Sequence, residues 1–265
     1  MNLQVILFIV VIISYLFGAP AFSQQKITDF NLSNFREDGK KDWEMRGQEA
    51  FIFEEYVDIR QMEARHYRAG RIIDIKADKG MLYKPHMDAY LYNNVEARSN
   101  DGAALFTDSL IWKKDKNLIY TNDPVRLTRD ASEIRAVGMN ADTELEKVNF
   151  LKDVTVRLKN EQSPDPVVVQ CEGPLAIDYL EGVGVFQHNV RVSSEEGTMY
   201  SDRATIFFDA QQKVLKKVIS EGNVEIFKGD NVTLAEKATY VSDGGQLMLE
   251  GSPHLTVFPD EITGN

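Results

Sequence analysis

The side chains able to bind a metal, attack an electrophile or move protons are few and dispersed. His66, His86, His188 and His254 lie far apart, and no His-Glu-x-x-His or close cysteine–histidine spacing gathers them toward a metal. Cys171 follows Val167-Val-Val-Gln170, a strand-like stretch where a small apolar residue fits. Cys171 with His188 is therefore a poor nucleophile–base pair. Neither a Gly-x-Ser-x-Gly elbow nor a phosphate-cradling glycine loop occurs. Acids at 49, 78, 108, 142, 172, 202 and 236 could supply the paired carboxylates of a glycosidase. Seven acids at matched steps are better explained as turn or strand-edge residues. Asn231-Val-Thr233 is a glycosylation acceptor by pattern alone. The chemistry expected is binding, with no enzymatic activity, cofactor or metal.

The steps between those acids are 29, 30, 34, 30, 30 and 34, and similar apolar tails follow them. Examples are Glu49-Ala-Phe-Ile-Phe53, Asp108-Ser-Leu-Ile-Trp112 and Asp202-Arg-Ala-Thr-Ile-Phe207. A second register lies between them: Asn94-Val95, Pro124-Val125, Asp153-Val154, Asn189-Val190 and Asn223-Val224, each followed by polar then apolar residues. In Val154-Thr-Val156-Arg-Leu158 the valines and leucine point one way, Thr155 and Arg157 the other, which is the period of a half-buried strand. Turn signals separate the runs at Asn100-Asp-Gly102, Glu195-Glu-Gly197 and Asp243-Gly-Gly245. This spacing predicts an all-β chain of stacked strand-pair repeats of about 30 residues, each with two or more short strands and two turns. The best helical candidate, Glu54–Arg68, carries Val57 and Ile59 at period two and reads as strand and turn. Lys159–Pro166, with two prolines, is the longest internal loop and divides two halves of one stack.

Composition fits this reading. Fourteen Phe, ten Tyr and two Trp in 265 residues supply bulk for a core. A net charge of −11 opposes nucleic acid and anionic membrane surfaces, and a single cysteine precludes an internal disulfide. Residues 1–25 carry no charge, and Val5–Phe17 is apolar apart from Ser14. Ala21-Phe22-Ser23 offers small residues at the two positions that a signal peptidase reads, so the segment reads as a signal peptide or a membrane anchor. Either form exports the rest of the chain.

Stacked strand pairs bury one another's faces. Closed, the inner face is core and the molecule an envelope scaffold. Open along one side, it is an apolar gutter for acyl chains, whose exposure to water costs ~0.8 kcal/mol per methylene, so ~10 kcal/mol for a chain of about 14 carbons. The end strands would offer unpaired edges to another sheet. A β-solenoid polysaccharide-degrading enzyme is the remaining alternative, and it would need an acid cluster beside an arginine.

The stretch Met87-Asp-Ala-Tyr-Leu91-Tyr-Asn-Asn94-Val95, then Asp101-Gly-Ala-Ala-Leu105-Phe-Thr107-Asp108, Ile119-Tyr-Thr121-Asn-Asp123-Pro-Val125 and Gly138-Met139-Asn-Ala-Asp142 resembles the LptC-type periplasmic component of the lipopolysaccharide exporter. Trp43-Glu44-Met45-Arg46-Gly47 resembles that family's first strand. Gly222-Asn-Val224, Leu234-Ala-Glu-Lys-Ala238-Thr-Tyr240 and Leu247-Met-Leu249-Glu-Gly251 are similar to the LptA or OstA-like β-jellyroll. The resemblance spans roughly residues 27–258, through the order and spacing of these pieces. It implies an elongated, twisted β-jellyroll with an LptC-like half at 26–160 and an LptA-like half at 161–260, continuous with each other. It also implies lipopolysaccharide as ligand, an inner-membrane ABC transporter as donor, other jellyrolls as edge-paired partners, and the periplasm of a Gram-negative-type bacterium as location. Joining both halves in one chain departs from the family pattern. By alternation, the positions facing the acyl chains would be Phe51, Phe53, Phe106, Leu110, Trp112, Val125, Leu127, Val154, Val156, Val190, Val192, Ile206, Val224, Ile226 and Tyr240. The acidic surface suits a grip on acyl chains that leaves phosphorylated headgroups in solvent.

Overall fold

Alternating segments of ten or more residues have one apolar and one polar face, and this chain buries the apolar faces by pairing strands antiparallel in chain order. The computed structural model describes residues 25–68, 70–129, 132–158, 165–209 and 214–257. Residues 1–24, which hold nearly all of the segment expected to be a signal peptide or anchor, and 159–164 of the expected junction loop lie outside the described residues. The strands are β1 (Gln25–Phe35), β2 (Lys41–Ile52), β3 (Tyr56–Arg68), β4 (Arg71–Tyr83), β5 (Asp88–Ser99), β6 (Ala104–Lys113), β7 (Leu118–Arg129), β8 (Ser132–Asp142) and β9 (Lys147–Leu158). They continue as β10 (Val167–Cys171), β11 (Leu175–Asp178), β12 (Val183–Ser194), β13 (Gly197–Asp209), β14 (Val214–Lys228), β15 (Asn231–Val241), β16 (Gln246–Glu250) and β17 (His254–Thr256). All belong to one 17-stranded sheet, and the candidate helix at 54–68 is mostly β3.

The expected short strands are instead the two arms of long strands that bend in the middle. The ladder slips between Tyr92 and Val95, Thr121 and Pro124, Gln187 and Val190, and Glu221 and Val224. Asn94 (φ 53°), Asp153 (52°), Asn189 (52°) and Asn223 (46°) adopt the left-handed conformation that Asn and Asp tolerate best among non-glycine residues. A bulge with such a residue bends its strand and strengthens the local twist. Each Asn also ties its bend to the neighbouring chain segment: Asn94 Nδ2 donates to Asp78 of β4 (2.7 Å), Asn189 to Glu172 between β10 and β11 (2.8 Å) and Asn223 to Asp202 of β13 (2.9 Å). The two sequence registers are thus one corner, met on the outgoing and then the returning strand. Glu49 and Asp142 depart from it. Glu49 pairs with Arg60 at 3.1 Å beyond the bend, and Asp142 accepts from the amides of Glu146 and Lys147 in the β8–β9 turn, both at 2.9 Å. The bend in β8 falls at Gly138 (φ 78°), 30 residues after Asp108.

Bending folds the sheet into two facing arms. One core cluster holds Phe150, Leu175 and Phe186 from one side of the corner with Val154, Val156 and Val190 from the other. β9 pairs with β8 on one flank and with both β10 and β11 on the other, so the ladder crosses from residues before 159 to those after 164 without a break.

Candidate functional site

Beside the corner each arm carries an inner row of apolar or small side chains. On one arm Met139 faces Phe150, then Leu175, Phe186, Ala204, Ser220 and Ala238 in successive strands. On the other, Val95 faces Thr107, which in turn faces Val125, and further along Val154 faces Cys171. These residues are buried. Burial pushes the Cys171 thiol up, away from the reactive thiolate, as suits a core position.

Two residues farther from the corner, each arm carries a second row at the rim. The first runs Leu82–Ala89–Trp112–Ile119–Ala141–Val148, then Ile177–Gly184–Ile206–Val218–Tyr240–Leu247, every neighbour a registered partner. The second runs Leu32–Met45–Ala64–Ile75–Ala97–Leu105–Leu127, then Ile134–Val156–Val169–Val192–Met199–Ile226–Thr233–Leu255. None of these positions is charged. Most are half-buried, and exposure rises to 53% at Leu247 and 61% at Leu255. Only around β8–β12 does the rim close, with Ala141, Val148, Ile177, Val156 and Val169 all buried.

The outer faces carry the charge. Arg46 and Lys76 both meet Glu63, Arg65 meets Asp74 at 2.6 Å, and Lys113 meets Asp88 at 2.9 Å. Hydrogen bonding from Arg46 holds the Glu63 carboxyl below its usual range, and Lys113 does the same for Asp88. Charged side chains thus line the surface that meets water, and apolar ones line the cleft between the arms.

The fifteen sequence candidates divide accordingly. Leu110, Val125, Val154, Val190 and Val224 occupy the inner rows and are packed as core. Trp112, Leu127, Val192, Ile206, Ile226 and Tyr240 occupy the rims with accessible surface, and Val156 lies on a rim where it is buried. The remaining three are corrected. Phe51 lies on the outer face under Lys26 and Arg60, and Phe106 under Arg98 and Arg126, with ring–cation distances of 4.0–5.5 Å. Phe53 lies in the turn after β2, stacked on Tyr56 at 4.5 Å. The bend resets alternation, so parity counted through it put Phe51 and Phe106 on the wrong face. Leu82, Ile119, Leu105, Ile134, Met199 and Leu247 are rim positions left out of the candidates, although each is legible as the apolar residue two steps beyond an inner one. Among the described residues no three His, Cys, Asp or Glu side chains gather as a metal site, and no helix is long and apolar enough to cross a membrane. His188 (φ 63°) serves the bend of β12, where its carbonyl accepts from the Glu172 amide at 2.9 Å.

Two family models match this chain. Residues 6–159, more than half of it, match the LptC-related lipopolysaccharide-assembly family, and residues 174–265 match the LptA/LptD N-terminal lipopolysaccharide transport family. No curated protein matches. Among solved structures, LptH of Pseudomonas aeruginosa, the LptA-homologous periplasmic component of its lipopolysaccharide transport device, aligns at 12% identity and a TM-score of 0.39. That alignment covers 60% of this chain and 96% of LptH. The chain belongs to the LptC-related lipopolysaccharide-assembly family and carries, after its LptC part, a segment of the LptA/LptD N-terminal type.

Proposed function

We propose that this protein is a non-enzymatic component of a periplasmic lipopolysaccharide bridge, taking lipid from an inner-membrane ABC transporter and passing it toward the outer membrane. The observation that carries this reading is the pair of uncharged rim rows on facing arms, one from β4 to β16 and one from β1 to β17, which keep accessible surface on both sides of the closed β8–β12 stretch. Acyl chains laid between the rims would leave water, while the headgroup stayed at the mouth. Family membership supplies the lipid class. Because the ladder runs on through β9, the LptC-like and LptA-like parts act as one conduit. Transfer to neighbouring jellyrolls would use the end strands. Among the described residues β1 pairs only with β2, and it exposes Ile27, Leu32 and Phe35; at the far end β16 and β17 expose Leu247, Met248 and Leu255.

The test places photo-crosslinking residues at rim positions Trp112 and Ile226 and at outer position Arg191, then adds lipopolysaccharide. Crosslinks at the rims and none at Arg191 are expected, and Ile206→Asp, on an accessible rim, is expected to cut the Ile226 adduct about tenfold. Labelling confined to the outer probe, or none at all, overturns lipid carriage. It would favour a scaffold with a sealed core, the reading that the buried rim around β8–β12 supports.

A further inference from the structure

The closed stretch of rim coincides with the meeting of the two family segments, and turns on one arm close it. The turns after β8 and β11 and the end of β13 lie side by side at the open ends of that arm. The Tyr179 amide donates to the Glu146 carbonyl at 2.8 Å and the Phe208 amide to the Gly182 carbonyl at 2.8 Å. Asp178 fixes the second turn by accepting from the Leu180 and Glu181 amides at 3.1 and 3.0 Å, and it pairs with Lys147 at 3.3 Å. Leu145 and Tyr179 from these turns and Phe208 from β13 pack onto the core cluster, with the Tyr179 and Phe208 rings edge to face at 6.1 Å.

Tyr179 packs against the core cluster to which Val156 and Val169 of the opposite arm also belong. Its phenol, raised by burial, lies within electrostatic reach of Arg129 and Asp101. Those two belong to the other arm's free ends and pair with each other at 2.8 Å. Beneath the clasp the cleft has no room. Val148 and Ile177 on one arm are 5% and 9% exposed, and Val156 and Val169 on the other 6% and 9%. Elsewhere along the rims, as at Trp112 and Ile226, side chains keep accessible surface.

We propose that Tyr179, backed by Phe208 and Leu145 and packed on the core cluster that both arms share, is a clasp that closes the cleft at the junction of the two halves. A lipid chain then occupies the β2–β7 cleft first and reaches the β13–β17 cleft only when the clasp opens. This rests on the lipid-carrier reading, deepens it by giving the conduit two compartments, and makes Tyr179 a gating residue.

Two measurements on the full chain test it. The first needs no lipid: Tyr179→Ala is expected to speed amide hydrogen exchange in 146–150 and 175–184 by about tenfold, with Tyr179→Phe giving a smaller rise and both variants keeping the native circular-dichroism spectrum. Unchanged exchange in a folded Tyr179→Ala protein overturns the clasp, whatever the ligand. The second follows crosslinking of lipopolysaccharide over time at Trp112 and Ile226. In the wild type the Ile226 adduct is expected to lag that at Trp112, and Tyr179→Ala is expected to remove the lag. Adducts appearing together in the wild type overturn the gate but leave lipid carriage standing. No adduct at either rim in any variant overturns both.

Discussion

A valine at the corner and an isoleucine at the rim look alike in sequence yet differ in what a carboxylate would meet there. Val156 is 6% exposed in the closed stretch, among Ile134 and Val169, so Val156→Asp buries an unpaired charge. The expected loss is about 3 kcal/mol or more in urea unfolding. Ile226 keeps a face to water, and Ile226→Asp is expected to stay within about 1 kcal/mol of wild type. Equal losses at the two positions would show that the rim is core and would end the two-row description. The same contrast governs interpretation of lipid-binding variants, because a rim substitution reports on the ligand and an inner one reports mainly on folding.

The bent strand is the unit from which the cleft is made, and its corner is chemically specific: a left-handed Asn or Asp at the bend, with the Asn amides held by an acid of the neighbouring chain segment. β9 is the strand on which the two halves depend, since Thr155 faces Arg135 on β8 and Gln170 on β10. A proline there removes a ladder hydrogen bond in the middle of the sheet. In a stack stabilised by nearest-neighbour contacts, weakening one interface uncouples the sides. Calorimetry of Thr155→Pro is expected to separate one wild-type transition into two; a single transition shifted as a whole would show that the halves are coupled through more than this ladder.

Across the whole molecule, charge lies outside and the ion pairs of the outer faces set the response to acid. Glu44, lowered by hydrogen bonding from Lys41, Glu63 by Arg46, Glu133 by Arg135 and Asp178 first by the Glu181 amide, all hold folded-state values below those of free carboxyls. Lowered folded values mean that the unfolded chain binds protons first. The stability these groups contribute is therefore full above the free-carboxyl range near pH 4 and fades as pH falls through the lower folded values. The urea midpoint is expected to hold between pH 7 and pH 5 and to drop by pH 3, with a smaller drop in high salt because these pairs face solvent. An unchanged midpoint at pH 3 would mean that the pairs contribute nothing to the fold.

Local alternation sufficed to establish that this chain is all-β, to give its repeat of about 30 residues and to mark its corners as turn-forming Asn and Asp followed by valine, because strand periodicity and left-handed tolerance are properties of neighbouring residues. It was misled at Phe51 and Phe106, where the bend in the strand breaks parity and an arginine on each ring makes an aromatic residue serviceable outside. Tertiary structure alone decided which apolar residues are core and which are rim, since that depends on how far the two arms approach. It alone packed Tyr179 and Phe208 onto the core cluster to which Val156 and Val169 of the opposite arm belong, because the fold back through the corner, and not any local signal, sets what meets across the cleft.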